Sequence, residues 1–341
     1  MPVASNPYLR QGVNGIIVIG AGIVGATTGK GLSKKGYDVV FVDKNPAIIR
    51  NLKNQGYRAY LPEDLTSHDI CARTSMFCVD TPLRDQSGNK QKGVDLGNII
   101  SAVSTHAEWL RDSKNNSQNN GDKFYHLIVI RSSVLPGTTR SILLPLIEEH
   151  SGLKVGEDFG LCMQPEFLRT VSAEEDFLHP RATVIGQYDN QSGDSLEKIY
   201  SSFGGEKIRV ELDMAEFMKF VHNCFNATKI SFSNEMWLLG QSIGVDANTA
   251  LQLAAKTAEG FWNPNYGLIG GQPYGGHCLP KDTQGFEGFA KENKAHMPIL
   301  SAVVQVNKQM EKLAEIGKVS DATLAPPNLV TEKQILSGHS R

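Results

Sequence analysis

The chain has 341 residues, of which 40% are hydrophobic and 21% charged, with a net charge of −2 at pH 7. That length accommodates two domains with substantial cores, and the composition is that of an ordinary globular protein. Near-neutral charge leaves no electrostatic footprint for nucleic acid or an anionic membrane, no apolar run is long enough to span a bilayer, and the polar start carries no apolar signal region. The expectation is a cytoplasmic protein with neither partner. Five cysteines, odd in number, scattered and without a C-x-x-C pair, indicate neither a disulfide framework nor a zinc site, so no metal is expected.

From Gly15 short apolar runs alternate with helical patterns: IIVIG, a helix over 21–36, DVVFVD, then a helix over 46–56. The alternation continues through a strand at 75–79, a helix near 94–111, the strand HLIVIRSS, a helix after Pro136, the strands GLCMQ and ATVIG, and a strand around 207–210. Such alternation predicts an α/β fold with a doubly wound, mostly parallel sheet. The polar segment DSKNNSQNNGDK reads as a surface loop insertion. After Leu212 one long helix over 214–243 leads into an all-helical second domain, with further helices at 246–258, 282–293 and 298–316. The predicted organisation is an arm over 1–14, a dinucleotide domain over 15–212, a helical domain over 213–316 and a mobile tail over 317–341.

Gly20-Ala-Gly22-Ile23-Val24-Gly25 follows a predicted strand and opens a predicted helix, and Asp43 closes the next strand. The first glycine permits a tight turn, the second lets a pyrophosphate approach the backbone, the third lets helix and strand pack closely, and the acid can bind a ribose 2′-hydroxyl. Asp43 would repel the extra phosphate of NADP, with Lys44 offsetting part of that, so NAD is the expected cofactor.

Near the C-terminal end, Gly-Gly-His-Cys-Leu-Pro-Lys-Asp (275–282) puts Cys278 at or just before a helix start, with Pro280 suited to the first helical position. Exposed N–H groups and the helix dipole favour an anion there. A cysteine is more often a small buried hydrophobe, but a setting between glycines and a lysine favours a nucleophile. Adjacent His277 points elsewhere and is read as a neighbour or merely exposed. Lys219 and Asn223, one helical turn apart, share a face and can address one oxygen; alone they also fit a solvated polar stripe. Glu166 in QPEFLR follows a strand, where ligand sites of open α/β sheets lie, although a lone loop carboxylate is usually just solvated.

With these residues in place, the chain resembles the nucleotide-sugar dehydrogenases, the family of UDP-glucose 6-dehydrogenase and GDP-mannose dehydrogenase. The resemblance runs from about Gly15 to about Glu311 and rests on GAGIVG, VDTP, RSSVLPGTT, QPEFLR, MKFVHN and GGHCLPKD in that order. It implies a Rossmann-like NAD domain, a helical domain on a plan like that of 6-phosphogluconate dehydrogenase through which a homodimer forms, and a four-electron oxidation of a sugar alcohol to a carboxylate. Carried over by position, it implies Cys278 as nucleophile, Lys219 and Asn223 as oxyanion donors, Glu166 as general base and Asp282 as the family's catalytic-site aspartate after the cysteine. It also implies Thr81, Ser133 and Lys281 along the dinucleotide, Ser133 taking part in catalysis too, and Gly275 with Phe167 and Leu168 on the side of an activated-sugar substrate.

Several departures accompany the resemblance. Ser133 replaces a common threonine, Thr170 stands where a second glutamate is common, no arginine lies between Gly260 and Gly275, and no segment of the sequence resembles the family's nucleotide-clamping third domain. Remote binding energy would be lost without that clamp, so weak activity on nucleotide sugars is expected of the chain acting alone. Two alternatives follow: a catalytically silent or partner-dependent NAD-binding relative, and a one-step alcohol or hydroxyacid dehydrogenase acting on a smaller substrate.

Overall fold

The computed structural model describes residues 15–67, 70–83, 93–119 and 124–317. The expected arm over 1–14 and the tail from 318 onward lie outside the described residues. The chain divides into two compact units between His222 and Asn223.

The first unit runs β1 (Gly15–Ile19), α1 (Ile23–Lys34), β2 (Asp38–Val42), α2 (Pro46–Asn54), β3 (Arg58–Tyr60), β4 (Thr74–Phe77) and α3 (Gly97–Asn119). It continues with β5 (His126–Ile130), α4 (Leu144–Ser151), β6 (Phe159–Met163), α5 (Ala173–Leu178), β7 (Ala182–Gln187), α6 (Asn190–Tyr200) and β8 (Glu206–Glu211), and it includes the start of α7 (Leu212–Ile243). The strands form one sheet in the order β3-β2-β1-β4-β5-β6-β7-β8. The pairings from β3 to β6 are parallel; β7 lies antiparallel to β6 and parallel to β8.

Both faces of the sheet are covered, which is why β1, β5 and β6 are buried at every position and read as continuous apolar runs. Because successive side chains alternate, Ile17, Ile130 and Leu161 enter one core, and Ile16, Val129 and Cys162 enter the other. The doubly wound Rossmann-like expectation therefore holds.

The second unit is helical: the remainder of α7, then α8 (Ala247–Thr257), α9 (Glu259–Trp262), α10 (Cys278–Glu292) and α11 (Pro298–Glu315). Leu239, Ala290, Met297 and Leu300 form its buried cluster. Among the described residues no helix is long and apolar enough to cross a membrane, and no group of three or more His, Cys, Asp or Glu side chains is placed to hold a metal ion.

Two expectations are corrected, and one strand, β3, was not foreseen. The DSKNNSQNNGDK segment is not a loop from its start: α3 runs on to Asn119, since extending a formed helix adds one bond per residue fixed, and Lys114 Nζ pairs with Asp158 Oδ1 at 2.6 Å to hold the extension. The rest of that segment lies outside the described residues. β3, with three residues and a charged start, was too short to show a period. α10 begins at Cys278 rather than at 282, so Pro280 occupies the third helical position, not the first. It is tolerated there because the first four N–H groups of a helix have no intrahelical partner.

Between α3 and the sheet, the Ser75 hydroxyl lies 2.7 Å from His106 Nε2 and 2.8 Å from His126 Nε2. One hydroxyl donates to one ring and accepts from the other, so both imidazoles are accommodated neutral. Burial lowers the pKa of His106 to about 3, and burial, with His106 and Arg73 nearby, holds His126 well below its ordinary value. The unfolded chain then binds protons near pH 6.5 that the folded chain refuses. Stability should be flat above pH 6.5 and fall toward pH 3, His106 contributing about 1.4 kcal/mol per pH unit and His126 adding to the fall in the same direction. Urea titrations between pH 7 and 4 on wild type and His106→Phe check this; equal pH slopes in the two would contradict it.

Candidate functional site

The glycine turn after β1 is built as its sequence requires. Gly20 has φ +85°, a conformation that L side chains rarely adopt. A Cβ on Gly25 would stand 1.8 Å from the Gly20 carbonyl oxygen, so only glycine lets α1 sit this close to the turn. A Cβ on Gly22 would meet nothing within 4 Å, and that open space is where a phosphate can reach the backbone at the start of α1.

Asp43, at the end of β2, turns its carboxylate back on this turn: Oδ2 accepts the Ala21 N–H at 2.7 Å and Oδ1 the Asn45 N–H at 2.8 Å. Lys44 is drawn away from Asp43 by Asn98, whose Oδ1 accepts its ammonium at 2.8 Å. A cavity of about 1040 Å³ opens here. Gly20, Gly22, Ile23, Val24, Asp43 and Lys44 line one end, and Thr81, Ser133 and Glu166 line it further along the C-terminal edge of the sheet. Thr81 Oγ1 donates to the Ser133 carbonyl at 2.7 Å, joining the loops after β4 and β5 into one wall. An open turn at a helix N-terminus, an acid at the end of the second strand and a long cavity at the switch point of the sheet fit a dinucleotide.

Glu166, beyond β6, is fixed on both sides. Its Oε2 accepts the Leu168 N–H at 2.8 Å, and its Oε1 pairs with Lys219 Nζ at 2.8 Å; the ammonium also donates to the Glu166 carbonyl. The two side chains are only 7% and 14% exposed, so neither is the solvated group that its sequence position alone would suggest. The ammonium stands 5.4 Å over the Phe167 ring, and Phe167 packs on His222. The pair therefore sits in a partly dry pocket, where its field acts at greater strength than in water.

Sequence reasoning missed Arg131, although it opens the RSSVLPGTT motif. It is 4% exposed in the cavity wall, donates to Gln164 and to the Tyr200 hydroxyl, and so ties the QPEFLR segment to β5. An unassigned arginine directly after a central strand was the available signal. Glu216 was also missed: fully buried, it accepts the Gly137 and Thr139 N–H groups at 2.6 and 2.8 Å and anchors α7 to the loop that carries Ser133.

In the second unit Cys278 is the first residue of α10 and is exposed, with exposed His277 at the N-cap making no side-chain cap bond. Asn223 is exposed on α7, and Gly275 is partly buried. Lys281 and Asp282, 3.1 Å apart and exposed, line a groove with Phe232, Phe286 and Phe289. The cysteines divide accordingly. Burial raises the Cys78 thiol to about 11 and pushes Cys162 up further, which leaves both inert, whereas Cys278 is accessible at a helix N-terminus.

Comparison with known proteins agrees with this geometry. A sequence model described as the UDP-glucose/GDP-mannose dehydrogenase family, NAD binding domain, matches residues 14–204, and the central domain of the same family matches residues 213–309. A GDP-mannose 6-dehydrogenase of Pseudomonas syringae pv. tomato is 32% identical over 86% of this chain and 67% of its own length. A UDP-glucose 6-dehydrogenase of Rickettsia bellii is 31% identical over 92% of this chain and 72% of its own. Among solved structures, a ternary complex of GDP-mannose dehydrogenase from Pseudomonas aeruginosa is 30% identical with a TM-score of 0.78, covering 89% of this chain and 71% of that one.

Proposed function

The chain belongs to the UDP-glucose/GDP-mannose dehydrogenase family, and on that footing we propose that it oxidises the primary alcohol of a nucleotide sugar to the carboxylate through a thioester on Cys278. As a member it is an NAD-dependent oxidoreductase acting on CH–OH donors. The observation that carries the finer reading is the buried Lys219–Glu166 pair, of which Glu166 lines the dinucleotide cavity.

Gly20, Gly22, Asp43, Thr81 and Ser133 would hold NAD, which when bound supplies the acceptor for the hydride lost in each oxidation. The alcohol carbon loses a hydride and its hydroxyl a proton, giving an aldehyde. An aldehyde loses a second hydride readily only once it is tetrahedral, and addition of the Cys278 thiolate makes it so. The thiohemiacetal loses hydride and proton to become a thioester. Glu166 then takes a proton from water as it adds to the thioester carbon, the oxyanion is held by Lys219 with Asn223, and collapse expels the thiolate and leaves the carboxylate. Lys219 already spans the Glu166 carbonyl and carboxylate, so it is preorganised to hold the base in place and to donate to a developing oxyanion nearby.

The names of the relatives support GDP-mannose or UDP-glucose as the substrate class. NADH formation with one of the two sugars is the expected result; no turnover with either would overturn the reading. The apolar residues that α7 leaves exposed, Phe217, Val221, Phe225 and Ile230 among them, support a homodimer through this helix. Sedimentation should then give twice the chain mass of 37.3 kDa, and a monomer at micromolar concentration would refute it.

A further inference from the structure

Between Gly270 and His277 the chain forms neither helix nor strand, and Gly271 and Gly276 adopt φ +85° and +78°. Such a glycine-rich segment loses much entropy on ordering and does not by itself fix the residue that follows it, Cys278. α11 supplies an anchor. Asn307 is 6% exposed in the middle of that helix, where asparagine has low intrinsic propensity. Its Oδ1 accepts the Tyr274 N–H at 2.7 Å and its Nδ2 donates to the Tyr274 carbonyl at 3.1 Å, so one side chain closes both hydrogen bonds of one residue's backbone as a neighbouring strand would.

The orientation of the amide is determined. Nδ2 also donates to Glu311 Oε1 at 2.9 Å, a carboxylate that can only accept, so the amine end faces Glu311 and the oxygen faces the Tyr274 N–H. The Tyr274 hydroxyl lies 3.3 Å from Thr283 Oγ1 on α10, and that hydroxyl donates to the Leu279 carbonyl at 2.7 Å. α11 is itself pinned at two points. Glu235, 4% exposed on α7, accepts the Ile299 and Leu300 N–H groups at 2.7 and 3.0 Å, and the Ser301 hydroxyl donates to Glu287 on α10 at 2.7 Å.

We propose that Asn307 is the positioning residue for the Cys278 thiol: by clamping the Tyr274 peptide to α11 it fixes where the glycine-rich loop enters α10 and so where the sulfur is presented. It acts through Tyr274 and does not touch Cys278. The inference rests on reading Cys278 as the nucleophile, so one readout is independent of turnover.

Asn307→Ala is compared with Val304→Ala, which removes a buried apolar side chain from the same helix and leaves both Asn307–Tyr274 hydrogen bonds in place. Iodoacetamide alkylation of Cys278, read by peptide mass spectrometry, should change rate at least threefold in Asn307→Ala and not in Val304→Ala, while exposed Cys224 reacts alike in all three proteins. In turnover with GDP-mannose or UDP-glucose, aldehyde trapped with hydroxylamine should rise about tenfold relative to carboxylate in Asn307→Ala only. A simple loss of stability would lower both products together. An unchanged Cys278 alkylation rate overturns the proposal, as does a changed rate with an unaltered aldehyde-to-acid ratio. Wild-type protein inactive on both sugars would defeat the functional reading instead, and the alkylation comparison would still decide the clamp.

Discussion

Gly25→Ala should weaken NAD binding at least about a hundredfold, roughly 2.8 kcal/mol at about 1.4 kcal/mol per tenfold. The added methyl would stand 1.8 Å from the Gly20 carbonyl oxygen, and a second backbone atom, the Gly20 carbonyl carbon, lies at 2.9 Å. Neither can swing aside as the tip of a side chain would. The turn or the start of α1 must shift, which moves the N–H groups that would face the phosphates of a bound dinucleotide. Overpacking should also lower stability by about 1–3 kcal/mol. Gly22→Ala separates the two effects, since a methyl there meets nothing within 4 Å. That variant should fold normally and still lose NAD affinity. Calorimetric titration with NAD beside thermal unfolding reads both, and Gly25→Ala binding NAD as wild type does would contradict the assignment of the turn.

Cys278→Ser should lower carboxylate formation by about a thousandfold or more, because an activated nucleophile that forms a covalent intermediate is not replaced by an un-ionised hydroxyl. The first oxidation needs no thiol, so the variant should release aldehyde. Fold and NAD affinity should be unchanged, since Cys278 is an exposed residue at the start of α10 and the glycine turn belongs to the other unit. Product analysis of the variant checks this; carboxylate at the wild-type rate would remove Cys278 from the chemistry.

Much of this was legible in the chain because local chemistry and tertiary demand agree. GIIVI, HLIVI and FGLCM are continuous apolar runs, and each is a strand buried at every position. The glycines of the first turn and Asp43 could be proposed for the cofactor because they stand between a predicted strand, a predicted helix and the end of the next strand, a context that the spacing by itself does not supply. The failures have physical causes. Asn and Ser in 112–119 disfavour helix one residue at a time, but α3 was already nucleated, and an ion pair from Lys114 holds its extension. The reversal of β7 against β6 leaves no mark on the apolar pattern of either strand.

The candidate site was legible only in pieces. Lys219 and Glu166 taken singly look like solvated residues, and their pairing is a contact across 53 positions that no local pattern encodes. Sequence position drew attention to each, Lys219 by its one-turn spacing from Asn223 and Glu166 by its place after a strand, but only the resemblance to the family joined them in one site. Asn307 lay wholly beyond sequence reasoning: an asparagine in the middle of a helix gains meaning only from the loop backbone brought against it. Arg131 was visible inside a quoted motif, yet its burial among Gln164 and Tyr200 appears only when β5, β6 and α6 come together.

The central claim is a two-stage oxidation whose second stage runs through the Cys278 sulfur, and the number of NADH molecules formed per nucleotide sugar consumed measures it most directly. With wild-type protein and a limiting amount of the sugar it oxidises, the account predicts two NADH and one sugar carboxylate for each sugar. One NADH with a carbonyl product accumulating in wild type would contradict it and would make the enzyme a single-step alcohol dehydrogenase.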